Sequence, residues 1–394
     1  MLLTLAVLPF LVATAVGLVL LWPRQVPTAL PGELGVGTQL VDGTVAKVQG
    51  VPCQEFEQLG DRRGCQIVTV RLTTGPDKGG ETLLEVTGGP DQPELVKGSK
   101  LVLGRSTDGG DVTYFFSDFQ RRTPLLWLAG LFAVVVIGIG RWRGVTSIIG
   151  VAFTFALLLK FVLPAILEGS SPLLVSIVGA AAAMFMILYL AHGFSAKTTA
   201  ALLGTLVSLA LTAGLAAVFV AATKLLNVGG DETAFLQLSA AQVDLQGLLL
   251  GGIIIGSLGV LNDVTVTQAS AVWALGEADP GLGFKGLYRR AMEVGRDHIA
   301  STVDTLVLAY AGASLPLLLL FTLASRSVAE VVTGSLVAEE LVRTLVGGIG
   351  LAASVPITTA LASLAMSRRA TSGAGGTRRL TEPIPVDDLP ELDA

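Results

Sequence analysis

The sequence predicts an α-helical polytopic membrane protein of about eight transmembrane helices, with a small extracytoplasmic β-barrel of OB-like or SH3-like type. Three observations carry this. Only 14% of the 394 residues are charged and 52% are hydrophobic, whereas a soluble chain is usually about 25% charged. The apolar residues gather in continuous runs, and a helix needs ~20 of them to cross a bilayer. One stretch, 23–123, breaks the pattern with 11 basic and 13 acidic residues among Gly, Pro and Asp.

Composition also excludes several functions. A net charge of −5 gives no reason to expect nucleic acid as a partner. Two cysteines cannot make a four-cysteine zinc site, and no metal or cofactor is expected. Dinucleotide and P-loop fingerprints are absent despite 47 glycines.

The expected spans lie near 2–22, 124–140, 145–167, 172–192, 200–223, 245–273, 299–323 and 341–366. Four domains follow: an N-terminal anchor (1–22), an extracytoplasmic β domain (23–123), a seven-helix core (124–366) and a disordered cytoplasmic tail (367–394). The tail, SRRATSGAGGTRRLTEPIPVDDLPELDA, has no apolar periodicity with which to build a core. Continuous apolar runs argue against an outer-membrane barrel, whose strands alternate.

Orientation comes from basic residues in short loops. One set of connections holds Arg141, Arg143, Lys197, Lys285, Arg289, Arg290, Arg296, Arg368, Arg369, Arg378 and Arg379. The opposite set holds Lys224 and Arg326, with Arg343 just inside the last span. The first set is therefore assigned to the cytoplasm, together with both termini.

Within 23–123, alternating runs recur at 38–48, 65–72, 81–86, 100–105 and 112–119, separated by turn clusters such as TGPDKGG. Such short strands suit a small barrel. Cys53 and Cys65 fall in one excursion of this domain, on the oxidising side, and are read as a disulfide, with two free thiols as the alternative.

Polar residues inside a span cost ~3 kcal/mol for a central Asp, so they mark where function resides. The sixth span carries Asn262, Asp263, Thr265, Thr267, Gln268 and Ser270. The seventh opens with Asp297, His298, Ser301, Thr302, Asp304 and Thr305. Asp263, Thr267 and Ser270 repeat at i, i+4 and i+7, as do Asp297, Ser301 and Asp304, so each helix carries a polar stripe on one face. Asn262, Asp263, Thr265, Thr267, Gln268, Asp297, His298, Ser301, Asp304 and Thr305 are the expected substrate or ion path. Hydroxyls alone would read as helix-packing groups; two carboxylates, amides and a histidine exceed that need. Catalysis is not expected. Two aspartates on neighbouring helices resemble an intramembrane protease, but LND and VDT lack the YD and GxGD forms such enzymes use.

GVLNDVTVTQASAVWAL (259–275), GRDHIASTVDTLVLAYAGASLPLLLL (295–320), HGFSAKTTAALLGTL (192–206) and VTVRLTTGPDKGGE (68–81) closely resemble the YibE/F family of bacterial membrane proteins. The resemblance implies a multi-pass protein of the bacterial cytoplasmic membrane with an extracytoplasmic segment, of a kind described as permeases without an assigned substrate. Two functions are carried forward. One is a secondary transporter or permease for an unknown small solute or ion. The other is a non-catalytic scaffold or envelope-associated partner protein that works through its outer β domain.

The loop charges make a direct prediction. A reporter fused after residue 110 should be active only outside the cytoplasm, and one fused after residue 380 only inside. An active cytoplasmic reporter at 110 reverses the orientation.

Overall fold

The computed structural model describes residues 2–24, 39–51, 65–86, 95–108, 111–225, 236, 242–323 and 327–374. Cys53, the side chain of Cys65 and tail residues 375–394 lie outside the described residues, so the expected disulfide does too. Two compact units divide the chain. Residues 28–139 form one, and 1–27 with 140–394 form the other.

The first unit holds an antiparallel sheet of β1 (Gln39–Val51), β2 (Cys65–Leu72), β3 (Glu81–Val86), β4 (Lys100–Asp108) and β5 (Asp111–Phe119), in the order β3-β2-β1-β4-β5. Period-two alternation puts Val68, Val70 and Leu72 of β2 inside with Val41, Val45, Leu101 and Leu103. The register breaks between Val45 and Lys47 and between Val102 and Leu103. Such bulges increase local twist, and the sheet curls into a half-barrel. Its edge strands β3 and β5 approach each other without a ladder among the described residues. Asp77, in the β2–β3 turn, accepts hydrogen bonds from Arg105 Nε (2.9 Å) and from the Tyr114 hydroxyl. The Tyr114 bond first, then Arg105, holds its carboxyl below the ordinary value. Any stability this clamp adds is present above the usual carboxyl pKa and is lost as pH falls through the lowered one.

The helices are α1 (Leu2–Leu20), α2 (Arg122–Leu157), α3 (Leu163–Leu167), α4 (Pro172–His192), α5 (Ala196–Thr223), α6 (Leu245–Ala278), α7 (Phe284–Ala313), α8 (Leu315–Leu323), α9 (Val328–Thr333) and α10 (Ser335–Ala374). Five helical stretches among the described residues are long and apolar enough to cross a membrane: Arg122–Leu167, Pro172–His192, Ala196–Thr223, Leu245–Ala278 and Ser335–Arg369. The difference from eight has local causes. Arg122–Leu167 contains two expected spans in one helical run, interrupted at Arg141 (φ 54°, ψ −132°). The apolar part of α1, Leu5–Leu20, falls short of the length needed. The expected span 299–323 is split at Ser314, next to Pro316, which has no N–H to continue the ladder. Proline acts again at Pro164: it cannot donate to the Lys160 carbonyl, and the chain widens there into a π-helical turn, Leu158–Val162. The last helix runs past the expected boundary at 366 to Ala374, because no proline and no glycine before Gly373 stops it.

The second unit is centred on α5, α6 and α10, which pack closely on one another. Close approach is set by two glycines. A β-carbon on Gly204 (α5) would collide with Thr358 (α10), and one on Gly350 (α10) with Thr212 (α5). The overpacked variants Gly204→Ala and Gly350→Ala should each cost about 1–3 kcal/mol, read as a lower melting temperature in detergent. Gly214→Ala, on an open part of α5 with nothing within 4 Å, should not lower it.

Candidate functional site

The helices α6 and α7 carry every residue of the expected path, and the structure sorts them by face. Thr265 and Gln268 are buried. Asn262 and His298 are half-buried, and Asp263, Thr267, Asp297, Ser301, Asp304 and Thr305 are exposed.

The buried pair holds helices together. Thr265 and Thr205 (α5) share a 2.7 Å hydroxyl–hydroxyl bond. Gln268 Nε2 donates to the Ala291 carbonyl of α7 (2.8 Å) and to Thr359 Oγ1 of α10 (2.7 Å). Thr359 in turn donates to the Val355 carbonyl at 2.6 Å. One buried amide thus joins three helices. The buried Oδ1 of Asn262 has no hydrogen-bond partner among the described residues.

The exposed residues lie on two separate faces. On α6, Gly252, Gly256, Gly259, Asp263 and Thr267 follow one another at helical spacing along one side. A β-carbon on Gly256 would come 3.2 Å from the Tyr310 hydroxyl, and one on Gly252 would lie 4.0 Å from Nη2 of the Arg343 guanidinium; at Gly259 it would meet nothing within 4 Å. The result is an open trough in α6, bordered by polar groups of α7 and α10, that leads to Asp263. On α7, Asp297, Ser301 and Asp304 project from the side opposite the buried Ala291, Gly295 and Leu306.

The contacts Gly256–Tyr310 and Gln268–Gly295 fix an antiparallel register of α6 and α7. In that register Asp263 and Asp304 lie within one turn of each other in depth, ~5.4 Å. They share a level but lie on separate faces, and neither carboxylate has a hydrogen bond or ion pair among the described residues. Among those residues, no three His, Cys, Asp or Glu side chains gather as a metal would require.

Sequence reasoning missed the far end of the trough. Arg343 and Glu340 pair at 3.7 Å on α10, within electrostatic range of Tyr310. Tyr310 and Glu340 also border a separate, mostly apolar 160 Å³ cavity between α7, α8 and α10, to which α6 contributes no residue. The available signal was Glu339-Glu340-x-x-Arg343 at the mouth of the last span, where only the charge of Arg343 entered the loop count.

The Gln268 tie predicts a graded response. Gln268→Leu should cost about 1–2 kcal/mol of stability through loss of both interhelical bonds. Thr359→Val should cost less, because Gln268 keeps the Ala291 carbonyl. Thermal unfolding of the purified variants measures the difference, and equal losses would remove the three-way role.

No curated protein and no solved structure matches the chain. A family model described as YibE/F-like protein matches residues 128–368, which span the exposed trough, the buried amide tie and the helices that carry both. With more than half of the sequence matched, the chain belongs to the YibE/F-like protein family.

Proposed function

We propose that this membrane protein is a permease of the bacterial cytoplasmic membrane that passes a small solute or ion along the trough of α6. The observation that carries this reading is the line Gly252, Gly256, Gly259, Asp263, Thr267. A face without side chains runs into a carboxylate, with Tyr310, Glu340 and Arg343 at its other end. Lipid is a poor neighbour for such a face, since a carboxylate at mid-membrane costs ~3 kcal/mol. Water or a passing ion lowers that cost. An acid beside a path can take up and release a proton or cation, the usual coupling device of secondary transporters.

In this reading the chain crosses the bilayer eight times. The run Arg122–Leu167 counts as two passes, and α1 and α7–α8 contribute one each. The β unit lies outside and both termini lie inside, following the loop charges. The strand order β3-β2-β1-β4-β5 favours an OB-like over an SH3-like assignment for the curled sheet.

A second reading rests on the other stripe. Asp297, Ser301 and Asp304 face away from the bundle, which favours a docking role toward another membrane subunit. Flux separates the two. Purified protein in liposomes, under an imposed proton or sodium gradient, should conduct. Asp263→Asn and Gly256→Leu should each reduce flux at least about tenfold, the scale of 1.4 kcal/mol on a barrier. Asp304→Asn should leave flux largely intact. Wild-type protein that conducts neither ion, or indifference to Asp263→Asn, would leave the scaffold reading standing.

A further inference from the structure

One cavity has no role in the path. It measures 760 Å³ and lies between α1, α4 and Phe153, away from α6 and α7. Its walls include Leu11, Leu18, Phe153, Phe185, Tyr189 and Phe194. The one hydroxyl among its α1 residues, that of Thr14, is used internally, donating to the Phe10 carbonyl at 2.7 Å. The groove is therefore apolar along its length. On α4 it extends from Ala182 to Leu190, about 12 Å at ~1.5 Å per residue. One leaflet of the hydrocarbon core is about 15 Å deep, half of ~30 Å. The groove thus matches one acyl chain of one leaflet in length, and its volume lies in the ~300–1,000 Å³ range of small-molecule sites.

One end of the groove is different. Tyr189 and Phe194 stack there with centroids 4.5 Å apart. Between them in sequence is His192, the last residue of α4, and Arg143 and Lys197 lie within electrostatic range of it. None of the three is ion-paired to a carboxylate among the described residues. Arg143 and Lys197 are positively charged and His192 adds an N–H donor, so this end favours an anion, and a tyrosine such as Tyr189 settles at headgroup level. By the loop charges this end belongs to the cytoplasmic leaflet, where anionic lipids concentrate.

We propose that the α1–α4 groove is a binding site for an anionic glycerophospholipid. One acyl chain fills the apolar channel, and the headgroup phosphate rests against Arg143, His192 and Lys197. The lipid completes the packing of α1 on the helical unit, and this site is independent of the transport path.

The test uses the full chain reconstituted in vesicles of equal phosphatidylglycerol and phosphatidylcholine with matched acyl chains. Lipids retained after extraction are counted by native mass spectrometry. Wild type should retain phosphatidylglycerol over phosphatidylcholine by about tenfold, since each Lys or Arg near an anionic headgroup contributes severalfold. Arg143→Gln with Lys197→Gln should bring the ratio close to one while total bound lipid persists. Ala15→Trp fills the groove from an exposed position on α1 and should lower total bound lipid. Soluble glycerol 3-phosphate, a headgroup without a chain, should not displace the retained lipid. Equal retention of both lipids by wild type would overturn the site. So would displacement by glycerol 3-phosphate, an unchanged ratio in the charge variant, or a groove filled instead by a second copy that Ala15→Trp releases.

Discussion

The helical unit depends on how closely α5, α6 and α10 can approach in a solvent that offers no hydrogen bonds. Once their apolar sides face lipid tails, helices gain little from hydrophobic burial against each other. Packing and internal hydrogen bonds must hold them. Gly204 and Gly350 let the backbones meet across Thr358 and Thr212, and the Thr205–Thr265 and Gln268–Thr359 bonds lock that contact. The first bond of Gln268 reaches the Ala291 carbonyl, so the seat of α7 also derives from this seam. The trough in α6 comes from its glycines, on the side of the helix opposite the buried Thr265 and Gln268.

Much of this was legible in sequence, and what was not has a physical reason. In the β unit, the polar-apolar contrast between solvent and core is strong. The runs 65–72 and 81–86 coincide with β2 and β3, and the others differ by a few residues at their ends. In the helices, hydropathy finds the apolar runs but says little about where one helix stops. Arg141 interrupts a helical run that charge alone would divide, and Ser314 with Pro316 splits one that hydropathy joins. Which face of a span turns inward is harder still. Lipid and protein interior are both apolar, so no contrast marks the buried side.

That loss of contrast explains the divided outcome at the site. The stripe Asp263, Thr267, Ser270 and its counterpart on α7 were visible as spacing, but spacing cannot say that two stripes point into different surroundings. Gln268 and Thr265, expected on the path, are buried and bonded to neighbouring helices, which spacing does not reveal. Glu340 and Arg343 were overlooked because charges near a span's end ordinarily mark its boundary. Their partnership with Tyr310 depends on α7 and α10 lying side by side, which is a tertiary fact.

The collision geometry at Gly204 and Gly350 also shapes how such a chain can drift over generations. On the outer sides of the bundle almost any apolar residue satisfies lipid, and many exchanges are equivalent. At the seam only a hydrogen atom fits opposite each threonine, so nearly every single-base change is a step off the fold. A pair of sites must then change together, glycine and facing threonine, for the contact to be rebuilt. The slowest-evolving positions expected of this architecture are therefore its smallest residues, although they carry no charge and perform no chemistry.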